Sequence, residues 1–428
     1  MRKSQLPESW RYKAVDELIS IRKGRKIANA HDSLHDNCYP IINIENLRGF
    51  SATLFSDDKR GVFCQKQDVL IVWDGANSGI VGTGFEGFVG STIAKLEIND
   101  VSELDNRYFF YFLKSKFDYL NNRTSGATIP HLDRNSLVSL LVPLPPLEQQ
   151  KIIVSILEKA ERTIQKRKEA VVLTDKYLQS VFIDMFGHPA TNPMGWGLKK
   201  LGNVCSVIYR YPTFYGLTYV DSGTPVVRIG NILKSGIVDP ELKNYVFIDQ
   251  SVSSNYPRTI LELNDIVMAV RGDGSTAKRI GYVNSNNLIG ANISPNLLRF
   301  KANNKVINPR YMFHLLTSQE GQNILDKYVK RTAKKNITAG DIKGIEIPIP
   351  PIEFQDKFAQ IVEKVETFKQ KQIKSIEELY TLFSSLMQKA FREDLTKNED
   401  DIVYMSKFSL AGFKKTYKIS NRVRRNRL

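Results

Sequence analysis

The chain is short of the residues that make secreted, membrane-spanning or metal-built proteins. Its 428 residues include three cysteines, Cys38, Cys64 and Cys205, with no CxxC spacing. Neither a disulfide framework nor a zinc ribbon is therefore expected. No apolar run reaches the ~18 residues that a spanning helix needs. The opening MRKSQLPESW has no apolar core of the kind a secretion signal carries, so the cytoplasm is the expected compartment. Five scattered histidines give no Ser/His/Asp arrangement. His31, His35 and Cys38 in HDSLHDNC have metal-like spacing but no fourth ligand, and read as a polar loop, so no metal is expected. No GKS or GKT loop is present, which removes that route to ATP. One GxGxxG occurs, Gly82, Gly84 and Gly87 in GTGFEG. The following FVGSTIAKLEI reads as strand, so the strand–helix setting of a dinucleotide site fails and turn glycines are the better account.

Acidic residues are also scarce: 45 Asp and Glu face 61 Lys and Arg, a formal net charge of +16. The stretch GFKKTYKISNRVRRNRL, from Gly412, carries seven of the basic residues and no acid, which leaves +9 on the rest. A polyanionic partner is expected, and nucleic acid is the commonest. The length suits two or three domains.

What the chain does have, it has twice. PLPPLEQQKIIVSILEKAE runs from Pro143 to Glu161, and PIPPIEFQDKFAQIVEKVE from Pro348 to Glu366, at an offset of 205 with nine identical positions. Weaker echoes precede each copy in the same order. PESWRYKAV from Pro7 answers PMGWGLKKL from Pro193, and YPIINIENL from Tyr39 answers TPVVRIGNI from Thr224. QDVLI from Gln67 answers NDIVM from Asn264, and RYFFYFLKS from Arg107 answers RYMFHLLTS from Arg310. A period near 200 residues is too long for a solenoid and marks a duplicated domain. DVLIVW, VVRIGNI and DIVMAV read as strands, and the two RY stretches as short helices. The prolines force an extended connector, and the last one opens a helix at its first turn. There Glu148 and Glu353 suit the helix dipole.

Neither 146–186 nor 351–393 contains a glycine or an internal proline after its first residue. Each predicts a helix of about 60 Å at ~1.5 Å per residue. Leu157, Ile164, Val171, Leu178 and Met185 recur every seven residues, with Ile153, Ala160 and Val181 alongside. So do Phe358, Val365, Gln372, Leu379 and Leu386, with Ile361, Phe368, Ser375 and Leu382 between them. That spacing predicts a two-helix coiled coil; the rival is that each helix packs only on its own domain.

The duplicated PLPPLEQQ motif with its long helix resembles the specificity subunit of a type I restriction–modification enzyme, over nearly the whole chain. The resemblance implies a mixed α+β fold: two similar target-recognition domains separated by two long antiparallel coiled-coil helices, pseudo-twofold symmetric. The expected divisions are 1–145, the first helix 146–188, 189–350, the second helix 351–394 and a basic tail 395–428. Each domain would read one half of a split, asymmetric site on double-stranded DNA, and the helices would set the spacer. Pro146, Glu148, Gln150, Pro351, Glu353 and Gln355 form the helix-start motif expected to dock partners. The partners implied are two methylation subunits, which carry S-adenosylmethionine and methylate adenine at N6, and restriction subunits, which use ATP and Mg2+. No cofactor is expected in this chain, and no catalytic residue. It lacks the NPPY or DPPY tetrapeptide of N6-adenine methyltransferases. Phe354 departs from the motif where the first copy has Gln149.

DNA reading needs Lys and Arg for phosphates and Arg, Asn, Gln, Lys or Ser/Thr for base edges. Polar, basic loops that differ between the repeats supply candidates. In the first domain these are Lys23, Arg25, Lys26, Asn77, Ser78, Arg123, Thr124 and Ser125. In the second they are Arg210, Tyr211, Arg271, Lys278, Arg279, Arg331, Lys334 and Lys335. The loops after DVLI and DIVM match in place, as do those before the two proline connectors. Against this reading stand a methyltransferase or nuclease fused to its own specificity domains, and an anti-restriction decoy or orphan coiled-coil protein.

Overall fold

The structure, a computed structural model, describes residues 10–58, 60–124, 130–211, 217–272, 278–329 and 335–391, with backbone alone at Arg271, Gly272, Lys335 and Asn336. Ser125, Arg331, Lys334 and the tail 395–428 lie outside the described residues. The chain forms two units, 1–168 with 374–428, and 169–373.

The helices Leu147–Phe186 and Ile352–Ala390, 40 and 39 residues long, start one residue after Pro146 and Pro351. Each proline carbonyl accepts from the fourth amide on: Pro146 O from Gln150 N–H at 3.1 Å, Pro351 O from Gln355 N–H at 3.3 Å. The first helix stops at Gly187, whose φ of +73° is the left-handed C-terminal conformation.

Each unit takes the head of one long helix and the tail of the other into its core. In the first unit Ile153, Leu157 and Ala160 pack with Leu386, Met387, Ala390 and Phe391. In the second Leu178, Phe182 and Phe186 pack with Phe358 and Val362. Helix-on-helix contact, and not only helix-on-own-domain contact, thus builds both cores. The heptad reading holds for Ile153, Leu157, Ala160, Ile164 and Leu178, all buried. It is weaker at Val171 and Val181, both half-buried, and slips at the end, where Phe182 and Phe186 take the buried face and Met185 is half-buried. A helix of ~3.6 residues per turn drifts off a seven-residue repeat, and here the ring of Tyr311 captures Phe182 and Phe186, with centroids 5.7 and 4.7 Å away.

The two units repeat one topology. In the first, a four-stranded sheet orders Ile19–Lys23, Ile93–Ile98, Val69–Val72 and Val81–Gly82, every pair antiparallel. In the second, the order is Cys205–Arg210, Leu297–Ala302, Ile266–Ala269 and Ile280–Tyr282. A second sheet in each unit contains one parallel pair, Tyr39–Ile42 with Gly87–Val89 and Thr224–Val227 with Asn292–Ile293. The GTGFEG stretch joins two strands, as its sequence predicts. Gly87 is required there, because a Cβ would sit 2.2 Å from the Pro40 carbonyl oxygen. VVRIGNI is only half strand: Ile229–Asn231 form a 3-10 turn. One ion pair is duplicated too: half-buried Lys95 with Asp68 at 2.8 Å, and fully buried Arg299 with Asp265 at 2.7 Å.

The proline connectors are strands. Leu141–Leu144 pairs with Arg11–Ala14, and Glu346–Pro348 with Leu198–Lys200. Buried tyrosines hold them: Tyr108 Oη donates to Pro143 O at 2.8 Å and Tyr311 Oη to Pro348 O at 2.9 Å. The motif glutamines complete the joint. Gln150 Oε1 accepts from Asp105 N–H at 2.9 Å, while its Nε2 donates to Glu103 O and Pro145 O at 2.8 and 2.9 Å. Gln355 does the same with Asn308 N–H at 2.8 Å and with Val306 O and Pro350 O at 3.3 and 2.8 Å. Both glutamines are fully buried, so they clamp helix to domain and are not available to dock a partner. The Phe354 departure is local: Trp10 Nε1 donates to Gln149 Oε1 at 3.2 Å, and the matching Trp196 lies against the Phe354 ring with centroids 6.2 Å apart.

Candidate nucleic-acid interface

At one end of each unit the main sheet finishes on a turn that gathers the candidate loops. In the first unit the turn is Gly90–Ile93, closed by Ile93 N–H to Gly90 O at 3.0 Å. In the second it is Ser294–Leu297, closed the same way at 3.0 Å. Register fixes three corresponding positions around it. Lys23 stands opposite Ala94, and Arg210 opposite Leu298. Trp73 N–H donates to Thr92 O at 2.8 Å, and Val270 N–H to Asn296 O at 3.0 Å, so Asp74 and Arg271 follow at the same place. Asp74 bridges His131 as Arg271 pairs with Asn336. The two loop pairs that match in sequence therefore meet in space within each unit.

The side chains on this shared frame differ. In the first unit Asp74 accepts Lys23 Nζ at 2.9 Å and His131 Nδ1 at 2.7 Å. Burial favours its neutral form, but these bonds outweigh burial and hold its carboxyl below the usual range. In the second unit Arg210 Nε donates to Pro295 O at 2.9 Å, and the Asp74 position is an arginine. One frame thus carries Lys, Asp and His in one unit and Arg, Arg and Asn in the other.

A second matched feature adjoins each turn. Asn43 and Arg228 occupy the cap before a short helical turn. Their backbone N–H groups donate to the buried Asn46 and Asn231 Oδ1, both at 2.8 Å. Gly90 N–H donates to Ile42 O, and Ser294 N–H to Val227 O, at 2.9 Å each, which ties cap to turn.

The other candidates scatter in role. Arg25 and Lys26 are exposed in the loop after Ile19–Lys23. Asn77 is half-buried, and its carbonyl accepts Ile80 N–H at 3.1 Å. The Arg123 guanidinium lies 4.1 Å from the Tyr119 ring centre and bonds its hydroxyl; Thr124 next to it is half-buried. Lys278 pairs with Asp326 at 2.7 Å, and Arg279 lines a cavity with His314 and Glu320. Arg271 and Lys335 are placed by backbone alone. Two candidates are corrected. Ser78 is fully buried and its hydroxyl donates to Gly75 O and Trp73 O at 2.6 and 3.1 Å, so it closes a turn and offers nothing to a base. Tyr211 is also buried, its ring 4.6 Å from that of Tyr256. Exposed Glu148 and Glu353 keep their place at the helix starts. Sequence reasoning missed the turn residues Thr92 and Asn296 and the cap residue Arg228. The echo of NIENL in RIGNI was the signal that marked the cap.

Comparison with known proteins follows the same duplication. The family model described as "Type I restriction modification DNA specificity domain" matches the chain twice, at residues 7–174 and 193–378. The type I restriction enzyme MjaVIII specificity subunit of Methanocaldococcus jannaschii is 27% identical over 380 residues, covering 85% of this chain and 87% of the relative. The EcoBI specificity subunit of Escherichia coli is 24% identical over 422 residues, covering 91% and 87%. Among solved structures, the S subunit from M. genitalium superposes with a TM-score of 0.53 at 16% identity, covering 91% of this chain and 98% of its own. A chain solved in work on complex assembly and conformational transition of the type I R-M system gives 0.60 at 19% identity, covering 91% and 100%. These two likenesses are of fold.

Proposed function

The chain belongs to the type I restriction–modification DNA specificity family, and from that membership we propose that it is the DNA-reading subunit of a type I restriction–modification complex. Each unit reads one element of a split, asymmetric site on double-stranded DNA. The observation that carries this is the repeated frame: two copies of one family domain present the same backbone end with different polar side chains. A duplicated scaffold with divergent Lys, Arg, Asp, His and Asn is what two different short base sequences require, since groove edges are read by such donors and acceptors. The net charge of +16 supports contact with phosphates.

The chain is non-catalytic, as a specificity subunit. In this reading two methylation subunits supply S-adenosylmethionine and methylate adenine N6, and restriction subunits supply ATP- and Mg2+-dependent cleavage. The long helices set the gap between the two elements, and the exposed motif residues Pro146, Glu148, Pro351 and Glu353 border the docking surface. The complex works in the cytoplasm; among the described residues no helix is long and apolar enough to cross a membrane. The test is long-read sequencing of a methylation-free bacterial strain that expresses methylation subunits with and without this chain. The expected result is N6-methyladenine in one motif of two short elements around a fixed gap, only when the chain is present. A complex that forms and leaves the DNA unmethylated would favour the decoy reading.

A further inference from the structure

We propose that Arg228 reads a guanine in the DNA element recognised by the second unit. The proposal rests on the functional reading above and names a specificity-determining residue within it. Three observations carry it.

The first is a broken local rule. Asn43 does the work of its position, its Oδ1 accepting the Glu45 and Asn46 N–H groups at 3.0 and 3.4 Å. Arginine has no acceptor and is a poor residue at a cap, where a side-chain oxygen is wanted. Arg228 accordingly makes no side-chain cap bond. Its backbone is nevertheless held as Asn43 is held, by Asn231 Oδ1 at 2.8 Å. A residue that departs from local preference on an intact scaffold marks function more often than accident.

The second is its freedom. Arg228 is exposed, and among the described residues its guanidinium forms no hydrogen bond or ion pair, whereas Lys23, Lys278 and Arg299 are all committed to carboxylates. Its five donors remain available, in a fork that fits guanine O6 and N7 bidentately.

The third is its setting. Arg228 lines a cleft of about 810 Å³ together with Tyr219, Asp239, Asn244, Ser294 and Asn296. The cleft therefore includes the Ser294–Leu297 turn on which Arg210 and Val270 converge. Its polar lining mixes donors and acceptors and includes the Asp239 carboxylate. Base edges present both donors and acceptors, so a surface that reads them uses both kinds of group.

The test expresses the full chain with its methylation subunits and compares the methylomes of wild type, Arg228→Ala and Arg228→Lys. The expected result is one G·C position in one element becoming degenerate in both variants, with discrimination there down on the order of 10- to 100-fold. The other element and the gap stay as they are. Arg228→Lys belongs in the set because it keeps the charge and loses the fork. A motif unchanged at every position overturns the proposal. So does a uniform fall in methylation with the motif intact, which is the signature of a phosphate contact. Relaxation at an A·T position, or variants that no longer co-purify with the methylation subunits, overturn it as well. A wild-type chain that yields no split motif sinks the functional reading itself. A wild-type motif that Arg228→Ala leaves intact sinks this proposal alone.

Discussion

Replacing Gln355 with leucine separates two accounts of the repeated motif. The side chain is fully buried and makes three hydrogen bonds, to Asn308 N–H, Val306 O and Pro350 O. Leucine keeps most of the volume and forms none of them. Each bond contributes about 1 kcal/mol net, and stranding the buried Pro350 carbonyl costs a further ~1–3 kcal/mol, so the second unit should lose roughly 4–6 kcal/mol. Hydrogen exchange read by mass spectrometry on the full chain resolves the two units. The slowest amides within 169–373 should lose at least about 100-fold in protection, while those within 10–168 keep theirs. Gln150→Leu should give the mirror result. Unchanged protection combined with lost binding to the methylation subunits would refute the clamp and make the glutamine a docking residue.

Other consequences follow from the same geometry. Burial, helped by the Arg310 guanidinium, holds His314 down at about 4. The folded protein keeps it neutral, so its contribution is complete above the unfolded value near 6.5 and is lost as pH falls towards 4. Urea denaturation of the second unit should lose about 1 kcal/mol between pH 6.5 and 5.5, and His314→Gln should abolish that slope; an identical slope in the variant would count against it. Ser78→Ala should cost ~1–3 kcal/mol of stability in the first unit and leave the methylated motif unchanged; an altered motif would return Ser78 to the DNA surface. Four residues added to each long helix lengthen it by about 6 Å. At ~3.4 Å per base pair the gap in the methylated motif should widen by roughly two base pairs, and an unaltered gap would end the ruler idea.

The long helices were legible because their signal is local and redundant. Two stretches of about forty residues without glycine or internal proline leave little else for the backbone to do. The duplication was legible because similar stretches recur in the same order, and the strands Val69–Val72 and Ile266–Ala269 because apolar runs between turns are short. What escaped was decided by partners distant in sequence. Gln150 and Gln355 read as surface residues in the first turn of a polar helix, and it is contact with Glu103 and Asp105, or with Val306 and Asn308, that takes them out of solvent. Ser78 read as a loop polar group, because nothing local says that the Gly75 and Trp73 carbonyls converge on it. Arg228 was absorbed into a strand, since VVRIGNI has the composition of one and its turn is set by Asn231 from three residues downstream.

The most direct measurement is a methylome of hybrids. Residues 187–351, the part of the chain between the two long helices, are exchanged for those of another family member whose motif is known. Each hybrid is expressed with the same methylation subunits and its N6-methyladenine is mapped by long-read sequencing. One element of the motif should take the donor's sequence, while the other element and the gap stay fixed. Change in both elements at once, or in neither, would mean that the two units do not read the site independently.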